Sequence, residues 1–183
     1  LNELGGVEGI VYKNFSPNQH CERMFFTPEN AKLIDEMRQQ LEIWLFYNDI
    51  DQKEHDFLLA SLLVSLDKVS NTSCVYGAYL KQFKKSAQKK LTVVPIHTRT
   101  NNNEANGATV GSAEIIAKMT TFDAVYLDPP YNQRQYAANY SPLNYIVRYD
   151  EHIVLTGKTG LMKNYNKSGF CSKRKVKKSF EEI

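Results

Sequence analysis

A chain of 183 residues has room for one domain, or for one domain carrying an inserted arm. An apolar share of 42% supports a packed core and excludes wholesale disorder, while the net charge of +3 is small and unevenly spread. Cys21, Cys74 and Cys171 are odd in number and far apart, with no CxxC pair and no Cys/His ligand spacing, which argues against a disulfide framework and against a metal site.

The chain opens at Leu1 without an initiator Met and reads as truncated at that end. Gly5-Gly6-Val7-Glu8-Gly9 is glycine-rich, but no apolar strand precedes it and no helical pattern follows it closely. It reads as an ordinary turn rather than a nucleotide loop. Tyr12 to Phe15 interleaves aromatic, basic and amide groups, as either a base-contacting loop or a strand edge does. Thr27-Pro28 then marks a helix start, with Thr as the cap and Pro in the first turn. Ala31, Ile34, Met37, Leu41, Trp44 and Leu45 follow at helical spacing. Asp51 and Glu54 form a capping-box pair ahead of Phe57, Leu58, Leu62, Leu66 and Val69 on one face. The pattern predicts two antiparallel helices joined near Tyr47–Asp51, with their apolar stripes, Trp44 and His55 all structural. The apolar stretch at 57–66 is too short and punctuated to span a membrane, and no signal peptide is visible, so the expected setting is reducing and cytoplasmic.

Asn71-Thr72 ends the second helix. Val75 to Leu80 leads into a basic cluster of Lys81, Lys84, Lys85, Lys89 and Lys90. Tyr76 and Tyr79 beside these lysines suit a nucleic-acid strand, or else fill a seam between subdomains. Leu91–Ile96 reads as a strand, 98–106 as a polar loop, and Ala108-Thr109-Val110 as a brief strand. Ser112 is placed to cap a helix over Ala113–Met119, and Ala124-Val125-Tyr126-Leu127 reads as a buried strand. That order is a βα unit of a parallel sheet. Ser141-Pro142 starts a helix carrying Leu143, Ile146 and Val147, and Gly157 and Gly160 loosen the chain beyond it. A second basic cluster runs from Lys163 and Lys167 to Lys173, Arg174, Lys175, Lys177 and Lys178. Each cluster suits phosphate contacts or a solvated lysine face. Ser179 and Glu182 stand at capping-box spacing, like a helix start cut short.

The chemistry concentrates at Asp128-Pro129-Pro130-Tyr131. Two prolines in a row cannot continue a β-ladder, because neither has an N–H to donate. A carboxylate, a stiff turn and an aromatic ring are thus expected just past a strand end, where ligands bind in open α/β sheets. Asp128 is an acceptor when ionised, and Pro129 leaves its carbonyl free. Two converging acceptors suit a planar amino group with two N–H donors. They would stabilise the positive charge that grows on that nitrogen as it attacks an electrophile. Tyr131 offers a flat face to a base, and a base inside a duplex reaches such a pocket only by flipping out.

These residues carry a resemblance. Val125-Tyr126-Leu127-Asp128-Pro129-Pro130-Tyr131-Asn132 resembles the catalytic motif of the amino-methylating DNA methyltransferases that use S-adenosylmethionine. Gln133-Arg134-Gln135-Tyr136, Asn139-Tyr140 and Tyr149-Asp150 are similar to the Dam-like, adenine-specific class. Further similarity covers residues 22–31, 75–81 and Ser168 to Lys173. The resemblance implies an α/β fold: part of a Rossmann-like methyltransferase sheet with a helical DNA-recognition region. Residues 1–90 would be mainly that recognition region, and residues 91–183 a partial catalytic domain. It implies that Asp128 and Pro129 hold the target amino group and that Tyr131 stacks on a flipped adenine. Asp128 and Ser112 would face the cofactor, S-adenosylmethionine. Asn132, Arg134, Gln135, Tyr136, Lys81, Lys84 and Lys85 would contact DNA, with Arg134 on guanine or a phosphate and Gln135 on adenine. Double-stranded DNA is the implied partner, a restriction endonuclease a possible functional partner, and the bacterial cytoplasm the implied location, with no membrane involved.

The chain departs from that family in lacking its glycine-rich cofactor loop, which Gly5–Gly9 does not match. Gly111-Ser112 stands where the family often has an acidic residue. The expectation is therefore an internal piece of a methyltransferase that lacks half of the cofactor site. Two other readings stand beside it: an RNA or protein-glutamine amino-methyltransferase, and a non-catalytic DNA-binding remnant. Asp rather than Asn at position 128 favours adenine, and the basic clusters disfavour a protein substrate.

Overall fold

In the computed structural model, which describes residues 1–73, 75–98, 107–119, 121–130, 132–165 and 167–183, Thr27 and Asp51 each start a long helix. Helix α1 spans Ile10–Phe15, α2 Pro28–Phe46 and α3 Gln52–Lys68. The Thr27 hydroxyl accepts from the Asn30 amide at 3.3 Å. Asp51 and Glu54 exchange side-chain and backbone bonds, both at 2.8 Å, so the expected capping box is formed. α2 ends in a Schellman arrangement. Asn48 is left-handed (φ 59°), its N–H reaches Leu45 O at 3.2 Å, and the Asp49 N–H reaches Trp44 O at 2.9 Å. Glu42 of α2 bridges Arg38 at 2.8 Å and His55 of α3 at 3.1 Å, which gives His55 its structural role.

The described chain divides into two units, Leu1–His97 with Ala138–Asn164 and Thr98–Ala137 with Tyr165–Ile183. The apolar core belongs to the first. Phe15, Phe25, Ile34, Met37, Leu62 and Tyr145 are among its fully buried members. Phe15 meets Phe25 and Tyr145 edge-on, and Phe25 stacks parallel to Tyr76 and meets Tyr79 edge-on. Tyr76 therefore serves the core, with its hydroxyl donating to Asp67 at 2.9 Å.

Helix α6 (Ser141–Arg148) starts at Ser141-Pro142 as expected, and its Tyr145 and Ile146 are buried. The two-residue strands β1 (Leu155–Thr156) and β2 (Leu161–Met162) form an antiparallel hairpin whose turn uses Gly157 (φ 68°) and Gly160 (φ 71°). Arg23 holds that turn through the carbonyls of Gly157 and Lys158, both at 3.1 Å.

The segment Leu91–Ile96 corrects an expectation. Its residues alternate in burial as a strand's do, with Leu91 and Val93 inside, yet no strand pairs with it among the described residues. Side chains take the place of a ladder. Leu91 N–H donates to Asn30 at 2.8 Å and Val93 N–H to Asn2 at 2.8 Å. Val94 and Ile96 N–H donate to Ser65 and Ser61 of α3 at 2.9 and 3.1 Å.

The second unit differs further from the sequence expectation. Helix α4 is one turn, Ala113–Ile116, and ends short of Met119. Residues 108–110 and 124–127 are not in strands, and Val125 and Tyr126 are 60% and 90% exposed. An extended segment becomes a strand only when a neighbour takes up its N–H and C=O groups, and the described residues offer these segments none. The sheet among the described residues is the β1–β2 pair, so the chain is a mixed helical fold with a small sheet. α5 (Tyr136–Asn139) is one turn, a 3-10 turn covers Gly169–Cys171, and α7 spans Val176–Glu181. α7 begins before Ser179, which lies buried inside the helix rather than capping it. The preceding carbonyls of Ser172 and Lys175 already receive the Val176 and Ser179 amides, so the helix nucleates there. No helix among the described residues is long and apolar enough to cross a membrane.

Candidate active site

Asp128, Pro129 and Pro130 lie outside any helix or strand, in the second unit. Asp128 is exposed and the two prolines are half-buried. Neither proline offers an N–H, and no described donor engages the Asp128 carboxylate, so its oxygens stay open as acceptors. Tyr131, the expected stacking ring, lies outside the described residues.

The chain turns immediately after the motif because Asn132 Oδ1 accepts the Arg134 amide at 2.8 Å, an Asx turn. Asn132 and Arg134 are exposed at this turn. Gln135 is half-buried and bonded at both ends of its amide. Its Nε2 donates to Ser168 O at 3.3 Å, and its Oε1 accepts from Ser168 N at 2.8 Å. The Cys171 thiol donates to Arg134 O at 3.5 Å. Tyr136 opens α5 with its ring partly exposed. Asp128, Pro129, Asn132, Arg134, Gln135 and Tyr136 thus lie together in one unit, while Lys81, Lys84 and Lys85 belong to the other.

Those three lysines are not alike. Lys81 and Lys85 are exposed. Lys84 is committed to its own fold: its Nζ donates to Thr72 O at 2.8 Å, and its amide donates to Asn71 Oδ1 at 3.1 Å. Ser112 occupies the cap position of α4, but its hydroxyl bonds the Glu114 carboxylate instead of a helix amide. That bond holds the Glu114 carboxyl below its usual range.

The glycine turn at residues 5–9 is engaged elsewhere, as its sequence context suggested. Gly6 N–H bonds Glu36 and Gly9 N–H bonds Asp35 at 3.1 Å, both on α2, so these amides do not cradle a phosphate or a cofactor. A cavity of about 620 Å³ in the first unit is lined by Leu4, Thr27, Glu29, Lys32 and Lys89, among others, and its mixed charge favours no single ligand. Among the described residues no cluster of three His, Cys, Asp or Glu could hold a metal ion.

Among the described residues, Asp128 and Pro129 thus stand side by side with an exposed carboxylate and a carbonyl, both of them acceptors. Sequence reasoning missed Ser168 as the anchor of Gln135. The only local signal was the Ser168-Gly169 turn pair, because a pairing across 33 residues leaves no periodic trace.

Comparison with known proteins identifies the family. The family model for the D12 class of N6 adenine-specific DNA methyltransferases matches residues 10–182. The Type II methyltransferase M.NlaIII of Neisseria lactamica is 42% identical over 183 residues, covering 100% of this chain and 54% of that protein. M.CviAII of Paramecium bursaria Chlorella virus 1 is 43% identical over 177 residues, 97% of this chain and 51% of the relative. M.FokI of Planomicrobium okeanokoites is 40% identical over 96% of this chain and 27% of its own length. The chain thus spans about half the length, or less, of these curated relatives. No solved structure matches it.

Proposed function

We propose, as the chain belongs to the D12 class of N6 adenine-specific DNA methyltransferases, that it carries the amine-binding half of an enzyme that methylates adenine in duplex DNA. The observation that carries this reading is the exposed Asp128 carboxylate, engaged by no described donor, directly beside the Pro129 carbonyl. Both oxygens accept from the adenine amino group and stabilise the positive charge that develops as the nitrogen attacks. Asp128 is also the residue that would face the cofactor. Bound S-adenosylmethionine supplies the methyl group. Tyr131 stacks on the flipped base and offsets about 1–3 kcal/mol of the unstacking cost.

We further assign residues 1–90 mainly to target recognition and 91–183 to a partial catalytic domain on a Rossmann-like sheet. Exposed Lys81 and Lys85 support phosphate contacts from the first region, and exposed Asn132 and Arg134 support DNA contacts after the motif. Ser112 is the weaker cofactor contact, since Glu114 competes for its hydroxyl. The setting is the cytoplasm, with a restriction endonuclease as functional partner, in keeping with relatives named as Type II methyltransferases. Because the described residues build no nucleoside cradle, the 183-residue chain by itself binds S-adenosylmethionine weakly or not at all. Calorimetry that found micromolar binding would overturn that statement.

The test is to express the whole gene encoding this chain in a host free of adenine methylation and to map modified bases in the host DNA. N6-methyladenine at one short sequence is the expected result. Unmodified DNA, or a mark on cytosine, RNA or protein glutamine instead, would overturn the reading.

A further inference from the structure

We infer that Gln135 is a positioning residue that locks the Ser168–Cys171 turn to the catalytic motif and thereby sets Lys173, Arg174 and Lys175 as grips on the DNA phosphates beside the target base. This rests on the reading of the motif as a DNA-acting site. A glutamine reads adenine by offering its N–H₂ and its carbonyl together. Both of those groups of Gln135 are taken by the backbone of Ser168, through its O at 3.3 Å and its N–H at 2.8 Å. The side chain acts as a one-residue strand partner across 33 positions of sequence.

The turn it holds is fixed on a second side. A Cβ on Gly169 would stand 2.5 Å from Ser179 Oγ of α7, so the turn lies flush on that helix. Phe170 meets Phe180 of α7 edge-on with ring centres 5.1 Å apart. The Cys171 thiol adds its bond to Arg134 O. The turn is thus tied at one side to residues 134 and 135, just past the motif, and at the other to α7.

The segment leaving this turn carries Lys173, Arg174 and Lys175, all exposed. No acidic residue occurs between Lys167 and Lys175. Further along, Lys177 and Lys178 face Glu181 and Glu182 at 3.7 and 3.4 Å, whereas no carboxylate among the described residues pairs with Lys173, Arg174 or Lys175. A run of exposed cations held by a fixed turn next to an amine-binding motif suits a polyanion, and a phosphodiester backbone is the polyanion that accompanies the target base.

The test is fluorescence anisotropy of the 183-residue chain with a labelled duplex over a range of salt. Every cation withdrawn from a phosphate lowers the slope of log Kd against log salt by about 0.9. Replacing Lys173, Arg174 and Lys175 together by Ala should lower it by about 2.7. Gln135→Ala removes no charge, yet it should lower the slope by about 1 or more and weaken binding about tenfold at fixed salt. Ser168→Pro removes the N–H that Gln135 accepts at a φ of −75°, a value proline adopts, and should act in the same direction, with Ser168→Ala, which removes only the hydroxyl that accepts the Phe170 amide at 3.3 Å, as its control. It decides the matter if Gln135→Ala does not fold. Wild-type slopes for Gln135→Ala and Ser168→Pro beside a reduced slope for the triple variant would overturn the positioning role and leave the DNA reading intact. A wild-type slope for the triple variant would remove the phosphate grip. No duplex binding by the unaltered chain would overturn the DNA reading, and this inference with it.

Discussion

The Tyr149 hydroxyl donates to Oδ1 of Asp35 across 2.7 Å, and that carboxylate also accepts the amides of Gly9, Val11 and Tyr12 at 3.1, 2.9 and 2.8 Å. One side chain of α2 thereby serves the start of α1, where a negative charge complements the helix dipole. Three residues on, Arg38 donates to Ile146 O at 2.9 Å and Val147 O at 3.3 Å, placing a positive charge at the end of α6. Tyr149 itself is left-handed at φ 46°, directly after α6. Burial, together with the bond to Asp35, pushes its hydroxyl pKa up, so it stays protonated as a donor, while burial raises the Asp35 carboxyl despite its four donors.

Tyr149→Phe removes one donor to a buried carboxylate and is expected to cost about 1–2 kcal/mol. Asp35→Ala leaves three helix-start amides unserved and should cost about 3 kcal/mol. Urea unfolding of both variants checks this order. Equal midpoints for the two would refute it.

Gly9→Ala tests the same contact sterically. Its backbone is extended (φ −94°, ψ −156°), so conformation does not demand glycine. An added Cβ would lie 2.5 Å from Asp35 Cγ and 2.6 Å from Tyr149 Oη. A loss of about 1–3 kcal/mol is expected. A thermal melt superimposable on wild type would show that the contact has slack.

Asn30 donates to Ala87 O at 3.2 Å and Lys89 O at 2.9 Å, and accepts from Leu91 N at 2.8 Å. Asn30→Ala should cost about 2–4 kcal/mol, because three backbone groups lose their partner at once. Hydrogen exchange at the Leu91 amide should rise with it, and an unchanged rate there would count against the clamp.

Glu42 gives the molecule an acid limb. Partial burial opposes its charge, but the Arg38 hydrogen bond and charge, then those of His55, pull its carboxyl below the usual 4.5. A lowered folded-state value contributes stability above the unfolded pKa and loses it as pH falls through the folded one. The urea midpoint should therefore fall between about pH 5 and 3, and Glu42→Gln should flatten that fall. Parallel pH profiles for the two proteins would exclude Glu42 as the source.

For the enzyme as a whole, Asp128→Ala should reduce methylation by about 10²–10³-fold or more while sparing duplex affinity. Methyl incorporation and anisotropy on the same preparation separate the two effects. Turnover near wild type would remove Asp128 from the mechanism.

The sequence by itself determined the helix pair and the position of the Asp128-Pro129-Pro130 turn. Caps and helical periodicity are local, so Thr27, Asp51 and Ser141 could be read directly, and Asp-Pro-Pro carries its backbone constraint within three residues. Only the tertiary structure decided where the polar groups go. Asp35 and Arg38 lie on the buried stripe beside Ile34 and Met37, and their partners at the ends of other helices are 23 to 114 residues away. Strand character at 91–96 was visible as alternation, but a ladder needs a neighbour, and here Asn2, Asn30, Ser61 and Ser65 stand in for one. The same dependence explains 124–127, whose apolar residues predict a buried strand but whose burial waits on pairing that the described residues do not provide. Gln135 shows the limit most clearly. Its residue type suits a base, and only its two bonds to Ser168 reveal that its amide is already engaged.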